Sequence, residues 1–501
     1  MTQKTASFVL FLGSFLLAIF WNELNKHELR KAGIELRDNA TVITNDDDSY
    51  LAPYDSFKKT GSFYKDGLGK YTSIIRSPGY GAIYYGCSIL FGDSKALFFL
   101  YLFQSLLFAI SVSSLFLIAE LFFIPRKIAF FISTLYGFLP FSIGFLNYTL
   151  TEGVTPALLI FCLYFLLKGY YADELRLKFR NYLLTSVVFS FLFIVRPFLG
   201  IFIVPILVVL VKDFYAEKRP LLLLIRLLLF LTISTSLFGI WEFRNKYVLG
   251  NWTNLHPIYQ NEIPGVFRLP HQQAWEFFKG WESSGEHFHE TMLPFWDKTI
   301  AHDTSEIQIQ QFIKRIPNEV IRSVGKKELI NTLKSYRIAI LDQKKYFDNH
   351  RVMPENSLKS EEIAGQNFMN LARKYRRQEP FNYYLLTPIH VLKTMSFHSN
   401  LSLYEFQVAF RGNIFIEVLR VICLVIHFFV FLTLPISLIM LRKNFVFLSF
   451  ALTLLAYIGY LAFVQRGIEE RYTLLILPFL ILIAGYSVWQ VFLRVKSVQK
   501  S

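Results

Sequence analysis

Lys95 to Phe123 reads KALFFLYLFQSLLFAISVSSLFLIAELFF, an apolar run with charge only at Lys95 and Glu120. A helix of roughly 17 to 25 apolar residues spans the ~30 Å hydrocarbon core of a bilayer, because only there are all its backbone groups satisfied internally. Working outward, nine more runs of this kind fall near 7–21, 128–146, 153–168, 180–196, 197–211, 221–241, 414–441, 445–464 and 471–493. Hydrophobic residues make up 53 % of the chain and charged residues only 18 %. That is more apolar than a soluble chain of this length needs. The fold class expected is an all-α polytopic membrane protein with about ten transmembrane helices.

Orientation follows from the basic residues. The run at 7–21 follows Lys4 and lacks a small-residue cleavage site, so it reads as a retained helix with a cytoplasmic amino terminus. Threading from there puts Arg126 and Lys127, Lys168 to Arg180, Lys212 to Arg226, Arg442 and Lys443, and Arg494 to Lys500 in cytoplasmic turns, as the positive-inside rule requires. Much of the net charge of +15 is explained by topology and attraction to the membrane surface, without nucleic acid.

The same threading divides the chain into an N-terminal transmembrane module (1–242) with a first outer loop at 22–92, an extracytoplasmic domain at 243–412, and a C-terminal transmembrane module (413–501). The stretch from Tyr80 to Gly92 is too short and glycine-rich to span, so it is expected in the interface or re-entrant. The polar domain reads as mainly helical, as at Glu306–Val324 and Glu361–Arg377, with Trp275, Phe278 and Trp281 expected to pack its core or contact the membrane, and facing a sugar as the alternative. The three cysteines all lie in apolar segments, so no disulfide framework holds the outer domain. His287, His289, His302 and Asp303 make a metal site conceivable, but their spacing matches no strong zinc signature. Sequons at Asn39, Asn147, Asn251 and Asn400 all fall outside in this topology.

Mixed-sign ionisable residues gather at the outer ends of the helices: Asp46, Asp47 and Asp48, Arg76, Glu152, Arg196, Arg244, Glu469, Glu470 and Arg471. Such groups are costly at membrane depth and by default mark a functional site. Snorkelling arginines are the bland alternative at any one position. Recurrence of both signs at nearly every outer turn argues against it.

The order of these elements resembles the GT-C class of polyprenyl-phosphate-sugar glycosyltransferases, in the branch of protein O-mannosyltransferases and lipid A aminoarabinose transferases. The resemblance is carried by Asp46 with Tyr50 four residues on, by Arg76-Ser77-Pro78-Gly79-Tyr80 followed by Phe91-Gly92, and by Thr151-Glu152. It continues in Arg196-Pro197, in Trp241 to Asn245 with Arg244, and in Arg471-Tyr472 followed by Leu477-Pro478. It covers nearly the whole membrane part and leaves 255–410 unmatched.

The resemblance implies an inverting transfer of a sugar from a polyprenyl-phosphate donor to a glycolipid, glycan or protein acceptor outside the membrane, with a bacterial inner membrane as the setting. Asp46 is the expected general base with Asp47 its rival, and Glu152 orients the acceptor or an arginine. Arg76, Arg196, Arg244 and Arg471 are the expected phosphate ligands, since a guanidinium grips phosphate oxygens in bidentate fashion. Tyr50, Tyr80, Glu470 and Tyr472 support them. In the aminoarabinose branch a glutamate directly before the phosphate-binding basic residue helps hold a metal. Here that position is Ile75, so no metal ligand is assigned and a divalent metal stays open. The rival classes are a transporter or flippase of a lipid-linked or anionic substrate, and a non-catalytic scaffold. Charges at the outer ends instead of the midplane, and the lack of an internal repeat, argue against the transporter.

Overall fold

The computed structural model of the protein describes the chain except residues 45, 64–75, 216–217, 219, 251, 254–270, 284, 350–353, 355–356, 397–409, 442–443, 467–469 and 499–501, and except the side chains of 271, 347, 470 and 496–498. Among the expected features, Ile75, Glu469, the Glu470 side chain, Arg442 and Lys443, and the sequons at Asn251 and Asn400 lie outside the described residues.

Among the described residues the fold is all-α apart from a two-stranded antiparallel ribbon, β1 (Leu36–Arg37) and β2 (Thr41–Val42), and an isolated bridge from Val42 to Tyr148. Nine helices among the described residues are long and apolar enough to cross a membrane. The N-terminal spans are α1 (Gln3–Lys31), α4 (Asp93–Leu121), α7 (Thr155–Tyr170) with the turn before it from Thr151, α8 (Leu175–Val195), α9 (Ile203–Tyr215) with the turn before it from Pro197, and α10 (Pro220–Leu249), and the C-terminal ones are α18 (Ile414–Leu441), α19 (Phe445–Tyr460) with the turn after it to Gln465, and α20 (Leu477–Val498). The chain is a multi-pass integral membrane protein.

Two of the expected spans differ. The run at 128–146 is not one straight helix but α5 (Arg126–Phe138) and α6 (Pro140–Gly144), whose segments bend by 50°. Pro140 lacks an N–H and holds Leu139 extended, which breaks the ladder. Helix α1 continues past Leu17–Trp21 to Lys31 and buries Asn22, Asn25 and Lys26 against its neighbours, so the first loop begins at 32 instead of 22.

Helix α4 sits at the centre, packed on α1, α5, α7 and the short α3 (Gly79–Phe91). Its buried Ser105, Ser111, Ser113 and Ser114 are small enough for close helix approach, and the Ser113 hydroxyl donates to Ser7 O at 2.7 Å on α1. The sequon asparagine Asn147 follows α6 and is 2 % exposed, buried beside this core. The ring of contacts continues α7–α8–α10, and α9–α19–α18–α20–α5.

The polar stretch builds a second core of its own. It comprises α11 (His271–Phe278), α12 (Glu286–Ile300), α13 (Glu306–Arg315), α14 (Asn318–Val324), α15 (Lys326–Asp348) and α16 (Lys359–Gln378), while α17 (Thr387–Ser396) follows them and packs Val391 and Met395 into the membrane core. Phe278, Phe288, Phe295, Phe312, Tyr336 and Phe368 fill it, with Trp275 and Trp281 packed at its edge. His287 and His289 are exposed on either side of buried Phe288, and no three His, Cys, Asp or Glu side chains converge among the described residues.

Candidate active site

Helix α2 (Asp47–Thr60) begins with Asp46 at its N-cap, followed by Asp47 and Asp48 in the first turn. Carboxylates there face the positive end of the helix dipole, which stabilises the run locally. Asp46 makes no capping bond with its side chain. Its carboxylate is thus free to point elsewhere.

Helix α3 is drawn tightly onto α2 and the end of α8 by two glycines. A Cβ on Gly79 would stand 2.6 Å from Val195 N, and one on Gly81 2.3 Å from the Tyr54 ring. Only glycine permits such approach. The Tyr54 hydroxyl donates to Pro78 O at 2.7 Å and the Ser77 hydroxyl to Val195 O at 3.1 Å, so the Arg76–Tyr80 element is fixed between α2 and the residue before Arg196. Arg196 itself leaves α8 in an extended conformation, as the following proline demands. Glu152 lies in a tight turn, Thr151–Gly153, ahead of α7, and Arg471 in another, Glu470–Thr473, ahead of α20.

These turns bring five side chains into one alternating row. Arg76 Nη2 meets Asp46 Oδ1 at 2.5 Å, and Arg471 Nη2 meets Asp46 Oδ2 at 3.0 Å. Arg471 Nε lies 3.7 Å from Glu152 Oε1, and Arg196 Nη1 completes the row at 2.7 Å from the same oxygen. Three guanidiniums against two carboxylates leave one net positive charge. Side-chain exposure rises along the row from 2 % at Glu152 and 9 % at Arg196, through 16 % at Arg471 and 25 % at Asp46, to 36 % at Arg76. One end is interior and the other is open.

Neighbouring groups hold the row in place. Arg76 Nε donates to Ser49 Oγ at 3.1 Å and its guanidinium lies 5.4 Å from the Tyr50 ring centre. Tyr50 packs edge-on against Tyr80 at 5.4 Å, and the Tyr80 hydroxyl donates to Gln104 Oε1 at 2.9 Å. Burial pushes the Tyr80 phenol well above its ordinary range, so it is a neutral donor. Arg196 also donates to Thr151 Oγ1 at 2.6 Å and lies 5.4 Å from the Tyr472 ring. The Tyr457 hydroxyl donates to Tyr472 O at 3.0 Å and fixes the turn that carries Arg471. Ser49, Gln104 and Tyr457 were not singled out from the sequence, whereas Thr151 belongs to the Thr151-Glu152 element; Gln104 left a signal, a lone amide in the middle of an apolar run.

Two expected members stand elsewhere. Arg244 is held by aromatic rings, 4.8 Å from the centre of Trp241 and 5.3 Å from that of Phe63, and it donates to Asn245 Oδ1 at 2.8 Å. Cation–π attraction holds the guanidinium against these rings. Asp47 turns inward, 1 % exposed, where Oδ1 accepts from Thr44 Oγ1 at 2.5 Å and Oδ2 lies 3.7 Å from Arg37 Nη1. Burial raises its pKa above the usual carboxylate range. As for a cation, Asp46 and Glu152 are the carboxylates at hand, and guanidiniums already engage both.

No family model and no curated protein matches the chain. Among solved structures it is similar to ArnT from Cupriavidus metallidurans in the apo state, with a TM-score of 0.37 and 12 % identity over 97 % of this chain and 78 % of that one. The same enzyme bound to undecaprenyl phosphate gives a TM-score of 0.34 and 12 % identity over 96 % and 77 %. Likeness at this level leaves the chemistry to the geometry of the row itself.

Proposed function

We propose that the protein is a GT-C class glycosyltransferase that moves a sugar from a polyprenyl-phosphate donor to an acceptor outside the membrane. The observation that carries this reading is the row Arg76, Asp46, Arg471, Glu152 and Arg196 at one end of the spanning helices. Its excess positive charge suits a phosphate anion, and its open end offers both a guanidinium and a carboxylate to the same reacting centre.

Asp46 has both oxygens in ion pairs at rest. A donor phosphate that takes over Arg76 would release Oδ1, and the base would become available as the donor is seated. The acceptor oxygen then attacks the anomeric carbon while the bond from that carbon to the phosphate oxygen breaks. The acceptor proton passes to Asp46, polyprenyl phosphate leaves, and the anomeric configuration inverts. Arg76 and Arg471 stabilise the phosphate charge, and Glu152 with Arg196 positions Arg471. Asp46, not Asp47, takes the proton, because Asp47 is buried among Thr44 and Arg37.

The lipid tail needs an apolar path. A crevice of about 440 Å³ between α9 and α19, lined by Ile201, Val204, Val208, Leu448, Leu452 and Ala456, begins one turn beyond Arg196. Phe198 in that turn stacks on Tyr457 at 5.8 Å. The positive-inside pattern supports a row on the extracytoplasmic face, and a polyprenyl-phosphate donor suits a bacterial inner membrane. The polar domain, 243–412 by the boundaries read from the sequence, would meet the acceptor there.

Purified protein given a panel of short-chain polyprenyl-phosphate sugars tests the reading. Release of polyprenyl phosphate with one of them, abolished in Asp46→Asn, is expected, and lipid and glycan analysis of cells lacking the gene then names the acceptor. Movement of the intact lipid-linked sugar across proteoliposomes, without release of polyprenyl phosphate, would replace the enzyme by a transporter. Equal turnover in wild type and Asp46→Asn would end the mechanism.

A further inference from the structure

Arg466 stands outside the row and is still among the largest fully buried side chains, at 2 % exposure. It ends the π turn Leu461–Gln465 that follows α19, and its backbone is left-handed at φ 49°. A non-glycine residue keeps such a conformation only where its surroundings over-determine it. The surroundings here are backbone carbonyls. Nη2 donates to Tyr383 O at 2.7 Å, Nη1 to Lys279 O at 3.1 Å and Nε to Phe463 O at 3.2 Å, while the guanidinium lies 4.1 Å from the Tyr383 ring centre.

Two of these acceptors belong to the polar body and one to the membrane helix. Lys279 follows α11, and Tyr383 precedes α17. The Thr387 hydroxyl donates to Gly280 O at 3.0 Å and ties those two polar segments together. Three divergent acceptors match the planar fork of arginine and no other side chain. Helix α17 packs on both the π turn and the Glu470–Thr473 turn. The chain between them leads from Arg466 to Arg471.

The row is assembled unevenly. Arg76, Asp46, Glu152 and Arg196 come from the N-terminal half, and Arg471 alone comes from the C-terminal spans, yet it bridges both carboxylates. We infer that Arg466 is a positioning residue: by clamping the polar body to the chain ahead of Arg471, it sets whether Arg471 reaches Asp46 and Glu152 together. Seating of the polar body is thereby felt at the row, through Arg471. The functional half of this inference rests on the phosphate reading above; the structural half does not.

The test uses the full chain in detergent, with Arg466→Gln, Arg466→Lys, Arg471→Gln and the double variant Arg466→Gln with Arg471→Gln. Hydrogen exchange of peptides covering 471–477 should quicken in Arg466→Gln, while peptides of α4 and α7 keep wild-type protection. Affinity for a short-chain polyprenyl phosphate should fall about tenfold in Arg466→Gln and no further when Arg471→Gln is already present, since a residue acting through another is not additive with it. Arg466→Lys should behave like Arg466→Gln, and it carries the test if the glutamine variant does not fold. Unchanged exchange at 471–477, unchanged affinity, or additive losses in the double variant would each overturn the inference. If wild type binds no polyprenyl phosphate, the donor reading falls, and exchange at 471–477 alone decides the role of Arg466.

Discussion

Replacing Arg196 by methionine removes the cation closest to Glu152, one of the most buried carboxylates among the described residues. The Glu152 side chain is 2 % exposed, and once Arg196 Nη1 at 2.7 Å is gone the nearest guanidinium atom in the row is Arg471 Nε at 3.7 Å. Breaking a buried pair by deleting one partner costs about 3–5 kcal/mol, because the other charge is left without water and without compensation. Thr151 loses its donor as well, worth about 1 kcal/mol. Arg76→Met, by contrast, leaves Asp46 at 25 % side-chain exposure and still paired with Arg471 at 3.0 Å, so about 0–1 kcal/mol is expected. Reversible unfolding in mixed micelles, with the wild type, both single variants and the double variant Glu152→Gln with Arg196→Met, measures the difference. The double variant should recover most of the loss, because the charge that needed Arg196 has gone. Arg196→Met within 1 kcal/mol of wild type, or no recovery in the double variant, would refute the argument from burial.

Asp46→Asn should lower transfer by about 10²–10⁴-fold with little change in folded yield, read as polyprenyl phosphate release against size-exclusion recovery. Arg76→Lys should impair turnover although charge is kept, and Arg76→Ala should do more, by the ~1.5–3 kcal/mol of a lost hydrogen bond to a charged group; a mere interface anchor would tolerate lysine. Gly81→Ala should destabilise by about 1–3 kcal/mol or fail to fold, since its Cβ would stand 2.5 Å from Tyr50 O as well as against Tyr54, and normal expression and melting would count against the packing described. Burial raises the Asp47 pKa in the folded state, so ionising it costs stability, and the wild type should lose stability relative to Asp47→Asn as pH rises through that folded pKa. Melting temperatures of the two taken from pH 3.5 to 7 check this, and a difference that does not move with pH excludes it.

How much could be read beforehand differs by level. The spans were legible because bilayer thickness imposes a run length that composition reveals directly, and the one at 128–146 failed as a straight helix at the residue, Pro140, where the local rule competes with the apolar pattern. The five members of the row were legible as candidates from type and order: an acid or an arginine at the end of an apolar run has few uses. The pairings were not legible. Asp46 and Asp47 are neighbours in sequence, yet a helix start rotates adjacent residues by about 100°, so one faces the arginines and the other the interior. Arg244 had the same signature as Arg76 and lies against Trp241 and Phe63, a placement that depends on which rings the fold brings within reach. Arg466 carried no signal beyond being another cation at a helix end.

The gradient of exposure along the row assigns different work to chemically similar residues. Glu152 and Arg196 are sealed at the inner end, where a charge pair is expensive to break and offers nothing to an incoming ligand. Asp46 and Arg76 stand at the open end, where the pair contributes little to stability and can be exchanged for a phosphate at small cost. Arg471 reaches both carboxylates, so movement of its turn is felt at the open end through Asp46 and at the sealed end through Glu152. Carboxylate-to-amide changes at the two acids should therefore separate cleanly: Glu152→Gln shifts where Arg471 sits and so weakens phosphate binding, whereas Asp46→Asn leaves phosphate binding near wild type and stops the transfer. Loss of binding in both, or of transfer in neither, would mean that the two carboxylates share one role.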